Sequence, residues 1–176
     1  MKRFSTFQIV ITALFSALIC VTTMLVRIPI PATGGYANLG DGVILICALL
    51  MNPLNAVIAA GLGSMLADVL AGYMSFAPGT LIIKAGVALI ALLVYNWLSK
   101  RVKQPILAMA IAGVLAEAFM VLGYFAYEGI FLGMGMGAAG AIIGNIGQGV
   151  VGVLVGCLVA PVLNRSKEVR ELLKRN

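Results

Sequence analysis

Ionisable and amide side chains are scarce in this chain, so those inside its apolar stretches are its candidate chemistry. Asp41, Asp68, Lys84 and Glu117 interrupt or border runs that are otherwise apolar, and Glu128 follows one of them. Asn145 and Gln148 stand three residues apart, which places both on one face of a helix. A charge or amide at hydrocarbon depth is costly, so each such residue is a candidate for holding a polar solute. Tyr36, Tyr73, Tyr124 and Tyr127 lie near them with Asn38, and the four rings suit either stacking on a planar ligand or anchoring at a membrane boundary. Plainer roles exist for most. Asp41 follows Leu39-Gly40 and reads equally as a helix N-cap. Asp68 and Lys84 read as an ion pair between helices, and Asn145 with Gln148 as interhelical hydrogen-bond glue. Glu117 has no opposite charge at helical spacing, which favours a ligand or water role. Acid, base, amide and ring together describe a site for a small polar or aromatic solute.

No catalytic set accompanies them. The chain has no histidine, which removes the commonest proton shuttle and metal ligand at neutral pH. Cys20, Cys47 and Cys157 all lie within apolar runs and show no metal or disulfide spacing, so they read as small buried hydrophobes. No GxxxxGK[ST] phosphate loop occurs. The expectation is a non-enzyme without cofactor or metal, and any ATP hydrolysis coupled to it belongs to other chains.

The elements that position these residues are membrane helices. Of 176 residues, 62% are hydrophobic and 10% charged, with a mean hydropathy of +1.10. That leaves too little polar surface for a water-soluble domain of this length. Five long apolar stretches fall at roughly 7–26, 54–71, 80–98, 105–126 and 138–163, and a shorter one at 42–51. The runs are continuously apolar, which excludes a β-barrel. Lys2 and Arg3 before the first run resemble a signal peptide, but the run is long enough to span and no small-residue cleavage site follows, so an uncleaved helix is expected.

Charge settles the count that hydropathy leaves open. With six spans and an inner N-terminus, every basic residue except Arg27 and Lys84 falls on the cytoplasmic side. Merging 42–51 with the next stretch through Asn52-Pro53 would move Lys100, Arg101, Lys103 and the basic tail outside, against the positive-inside rule. The expectation is therefore an all-α membrane protein, a six-transmembrane-helix bundle with cytoplasmic N- and C-termini. The short second helix is tucked against protein or extended into the preceding loop. The formal charge of +6 then reflects membrane orientation and does not point to nucleic acid.

One domain spans 1–176, with an external loop or lid at 27–40 and a basic cytoplasmic tail at 164–176. In the loop, Pro29 and Pro31 stiffen the start and Gly34-Gly35 supplies freedom. The glycines from Gly133 to Gly156 include the pairs Gly140/Gly144 and Gly152/Gly156, the spacing of a tight packing seam. Ala13-x-x-x-Ala17 with Ser16 forms another small-residue face, suited to internal packing or to a partner helix. The polar candidates all fall in the outer half, whereas Asn96 and Trp97 read as an inner interfacial anchor. This asymmetry suits a pocket loaded from outside better than a continuous ion path.

Several motifs in this order are similar to those of the substrate-binding (S) components of energy-coupling factor (ECF) vitamin transporters. They are the Ala13/Ala17 spacing, GGYANLGD at 34–41, GSMLADVLAGY at 63–73, APGTLIIK at 77–84, LAEAFMVLGYFAYE at 115–128 and N-x-x-Q at 145–148. The resemblance covers nearly the whole chain and points to the branch with pyridoxine, hydroxymethylpyrimidine and riboflavin carriers. It implies high-affinity capture of a vitamin from outside, in the cytoplasmic membrane of a bacterial cell. It further implies association with a transmembrane coupling protein and two ABC-type ATPases, with Ala13, Ser16 and Ala17 toward the coupling protein. It makes Tyr36, Asn38, Asp41, Asp68, Tyr73, Lys84, Glu117, Tyr124, Tyr127, Glu128, Asn145 and Gln148 the candidates for the pocket. A pyridine or pyrimidine ring suits this set, while riboflavin asks for a larger, flatter cavity. An autonomous ion-coupled transporter or channel, or a structural membrane protein, are the competing classes.

Overall fold

Residues 5–167 and Val169 are described by a computed structural model. Lys2, Arg3 and most of the basic tail expected at 164–176 lie outside the described residues. Helix α1 (Thr6–Leu25) opens with a capping box, in which Ser5 Oγ accepts from the Gln8 amide and Gln8 Oε1 accepts from the Ser5 amide. It gives way to a two-stranded antiparallel hairpin, β1 (Arg27–Ile30) and β2 (Gly35–Asn38). Then follow α2 (Gly40–Leu50), α3 (Pro53–Ala71), α4 (Ala77–Leu98), α5 (Pro105–Ala126) and α6 (Ile142–Arg165). A π turn at Tyr127–Phe131 and a 3-10 segment at Gly135–Ala141 link the last two helices.

Two features differ from the sequence expectation. The segment after α1, expected as an external loop or lid in an all-α fold, contains a registered hairpin, with Arg27 opposite Asn38 and Ile30 opposite Gly35. Its turn follows from composition. Pro31 supplies the fixed φ of a turn's first corner, the Thr33 and Gly34 amides donate to Ile30 O at 3.2 and 3.0 Å, and Gly34 takes φ +68°. Second, α4 begins at Ala77 rather than near residue 80, because Pro78 is tolerated in a first turn that has no use for its missing N–H. Lys84 therefore sits about two turns into α4, one turn deeper than its stretch suggests.

The break between α2 and α3 is real. Asn52 caps α3 by accepting the Asn55 amide at 3.0 Å, and Pro53 occupies the first helical position. Among the described residues five helical segments are long and apolar enough to cross a membrane, and the 11-residue α2 is not. Helix α2 is instead enclosed: Asp41 and the run Ile44–Ala48 are buried, and it touches α1, α3, α4 and α6. A helix too short to cross hydrocarbon is tolerated because protein surrounds it. The outer surfaces of the long helices, such as Leu14, Leu70, Ile82, Leu122 and Val162, stay exposed and apolar, as lipid contact demands.

Small residues let these backbones meet. A Cβ on Gly63 of α3 would come within 2.5 Å of the Ser16 carbonyl of α1. On α6, Gly152 faces Asp41 and Glu117, Gly156 faces Leu45 and Gly144 receives Ile30 of the hairpin, while Gly140 of the preceding 3-10 segment receives Ala32 of the hairpin turn. Charge ties α2 to α4, since Lys84 Nζ lies 2.5 Å from Asp41 Oδ1 with the two side chains 2% and 1% exposed. Breaking such a pair strands a buried charge, so Lys84→Met should lower unfolding stability by about 3–5 kcal/mol, read as a melting shift of the detergent-purified protein. Gly63→Leu should cost about 1–3 kcal/mol by forcing α1 from α3, and an unchanged melting temperature would show that the two helices are not packed this closely.

Candidate functional site

The helices alternate in direction, so the starts of α2, α4 and α6 share one end of the bundle with the ends of α3 and α5. At that end they and the hairpin line a nearly closed cavity of about 20 Å³, little more than the room of one water. The hairpin forms its cover, through Ile30, Gly35, Tyr36 and Asn38. Asp68 and Ser64 come from α3, Thr80 and Lys84 from α4, Tyr124 from α5, Glu128 from the π turn, and Asn145 and Gln148 from α6.

The polar groups hold one another. Asp41 is the hub: Oδ1 takes Lys84, and Oδ2 accepts from Gln148 Nε2 at 2.5 Å. The other end of the same amide, Gln148 Oε1, accepts the backbone N–H of Asn38 at 2.7 Å. Tyr36 donates to Asp68 Oδ1 at 2.6 Å, and its ring packs on Tyr73 with centroids 4.6 Å apart. Burial, helped by the bond to Asp68, pushes the Tyr36 phenol above its usual range, so it stays protonated and donating. The hydroxyls of Thr80 and Tyr124 lie 3.0 Å apart, and Lys84 Nζ sits 5.5 Å from the centre of the Tyr124 ring.

Several expected roles change on these distances. Asp41 is no N-cap: Leu39 holds that position without a side-chain bond, and Asp41 lies in the first turn of α2, pointing into the bundle. Lys84 pairs with Asp41 and not with Asp68, whose carboxylate is taken by Tyr36 across the hairpin. Of the twelve candidates, Tyr36, Asn38, Asp68, Lys84, Tyr124, Glu128, Asn145 and Gln148 line the cavity. Asp41, Tyr73, Glu117 and Tyr127 are not among its lining residues. Asp41 supports Lys84 and Gln148 from behind, Tyr73 backs Tyr36, and Tyr127 donates to Ser75 O at 2.7 Å. Glu117 is 4% exposed, lies against Gly149 and Gly152 of α6, and neither carboxylate oxygen has a hydrogen-bond partner. Such a group is costly to bury unless it is protonated or completed by a solute.

Lining residues that sequence reasoning missed are Thr23, Ser64, Phe76 and Thr80, besides Ile30 and Gly35 of the hairpin. Ser64 and Thr80 stand one helical turn from Asp68 and Lys84, so extending each charged position by four residues would have found them. Below the cavity the bundle closes with Ile44, Cys47, Val87 and Met120, all buried and apolar. At the opposite face Ala13 and Ala17 are exposed, whereas Ser16 is buried against Gly63 and belongs to the α1–α3 contact.

Comparison with known proteins places this arrangement. A solved S component of a bacterial ECF transporter superposes with a TM-score of 0.69 at 20% identity, over 89% of this chain and 95% of that one. An uncharacterized protein of Pyrococcus woesei is 41% identical over 141 residues, covering 78% of this chain and 88% of the relative. The thiamine precursor transporter HmpT of Lactococcus lactis subsp. cremoris (strain MG1363) is 29% identical over 161 residues, 90% of this chain and 89% of that protein. Residues 3–165 match the family described as ECF-type riboflavin transporter, S component. The chain is an integral membrane protein and a member of that family, a transport subunit of the ECF vitamin transporters.

Proposed function

We propose that this subunit captures one small heteroaromatic vitamin or vitamin precursor, of the hydroxymethylpyrimidine or pyridoxine type, in the cavity beneath the hairpin. The observation that carries the reading is the cavity itself. Donors, acceptors and rings converge at one end of the bundle, above a dry apolar layer. A continuous polar path, which an autonomous channel or ion-coupled carrier needs, is absent among the described residues. Much of the polar lining is engaged side chain to side chain around about 20 Å³ of free space, so a ligand enters as the lining parts, and one ring asks less opening than a three-ring flavin. The thiamine precursor named for the Lactococcus relative supports the pyrimidine choice. Riboflavin is the second reading, favoured by the family's description.

In this proposal the chain makes six passages with both termini in the cytoplasm, α2 counting as a protein-enclosed one. The cavity then opens outward, the hairpin is its lid, and the protein sits in the cytoplasmic membrane of a bacterial cell. Uptake proceeds with a transmembrane coupling protein that meets α1 at Ala13 and Ala17, and with two ABC-type ATPases. The twelve candidates act in tiers: those lining the cavity contact the solute, Asp41, Tyr73 and Tyr127 hold the lining in place, and the unpartnered Glu117 carboxyl behind them is completed when the solute binds.

Binding of a vitamin panel to the detergent-purified protein tests the capture. Hydroxymethylpyrimidine or pyridoxine should bind below about 10 μM and riboflavin more weakly; a reversed order installs the second reading, and no binding by any member sinks both. Glu117→Gln should weaken the best ligand by roughly tenfold, about 1.4 kcal/mol, and an unchanged affinity would remove Glu117 from the site. Replacing Ala13 and Ala17 together by leucine should abolish uptake in cells while leaving ligand affinity intact. Joint loss of both activities would instead assign the two alanines to internal packing.

A further inference from the structure

At the end of the bundle away from the cavity, a second and larger hollow of about 540 Å³ lies between the ends of α2, α4 and α6 and the start of α5. Its walls are apolar, built by Leu49, Leu50, Ile106 and Met109. Its rim is cationic: Lys103 and Arg165 both line it, both are exposed, and among the described residues no acidic one lines it with them. Among the described residues the only ion pair is Lys84–Asp41, so neither rim charge is spent on a protein carboxylate. Tyr95 adds a hydroxyl.

We infer that this hollow is a binding site for a single anionic phospholipid, with the phosphate between Lys103 and Arg165 and an acyl chain along the apolar wall. Two cations without partners favour an anion, and the apolar wall favours a ligand that brings hydrocarbon with it. A free phosphate would use only the rim. The chain's own C-terminal segment suits the rim poorly, because Lys167, Arg170, Lys174 and Arg175 outnumber Glu168 and Glu171 there. Depth agrees. Trp97, 56% exposed on the last turn of α4 with the Arg101 guanidinium 4.3 Å from its ring centre, marks the level where headgroups meet hydrocarbon.

Native mass spectrometry of the full chain in neutral detergent tests this, with equal amounts of dioleoyl phosphatidylglycerol and dioleoyl phosphatidylcholine. One phosphatidylglycerol should be retained in preference by roughly tenfold or more. Lys103→Gln with Arg165→Gln should erase the preference without moving the melting temperature. Lys100→Glu with Arg101→Glu, charges outside the hollow, should keep it. Equal retention of the two lipids, or equal loss in both double variants, would overturn the site in favour of diffuse surface charge. Displacement of phosphatidylglycerol by millimolar inorganic phosphate would overturn the lipid in favour of a phosphate ion.

Discussion

Everything at the cavity end rests on one buried ion pair. Asp41 is fully buried on a helix too short to span, and Lys84 is 2% exposed on a helix long and apolar enough to do so. Neither charge is tolerable there alone, so each fixes the depth and rotation of the other's helix. The pair holds α2 within the bundle at a level its own hydrophobicity does not specify. Gln148 then joins α6 to the same carboxylate, so three helices share one anchoring point.

Glycine makes that anchoring point accessible. Gly152 of α6 lets Asp41 and Glu117 lie against bare backbone, and Gly42 of α2 faces Val155 so closely that a methyl would collide. In lipid, where burying apolar surface gains little over leaving it exposed, such close approach supplies the packing energy. The seam and the charged cluster are thus one construction. The glycines bring the backbones near enough for short polar side chains to reach each other.

The long helices were legible from apolar runs, since hydrocarbon thickness imposes their length and the positions of Asn52-Pro53, Gly72 and Pro105 mark their ends. The charged and amide cavity residues were legible for a related reason: in so apolar a chain, each polar group inside a run carries information. What could not be read was pairing. Nothing in the sequence distinguishes Asp41 from Asp68 as the partner of Lys84, because that depends on helix rotation and on Tyr36 reaching over from the hairpin. Nor did spacing reveal that Glu117 and Asp41 stand behind the lining, since a helix face broad enough to hold both places does not label them. The hairpin was hidden by its own signals. Two prolines and paired glycines announce a turn, while strand pairing over four residues a side leaves only a trace in RIPI and GYAN.

The amide of Gln148 has two ends, and each is committed to a different body: one to the hairpin backbone at Asn38, the other to Asp41. Displacing the hairpin therefore frees an acceptor, and disturbing the ion pair frees a donor, on the same side chain. By thermodynamic reciprocity, whatever the hairpin bond contributes to the Asp41 bond, the Asp41 bond contributes equally to the hairpin bond. The position of the hairpin and the alignment of α2 with α4 and α6 are thereby linked through one uncharged residue.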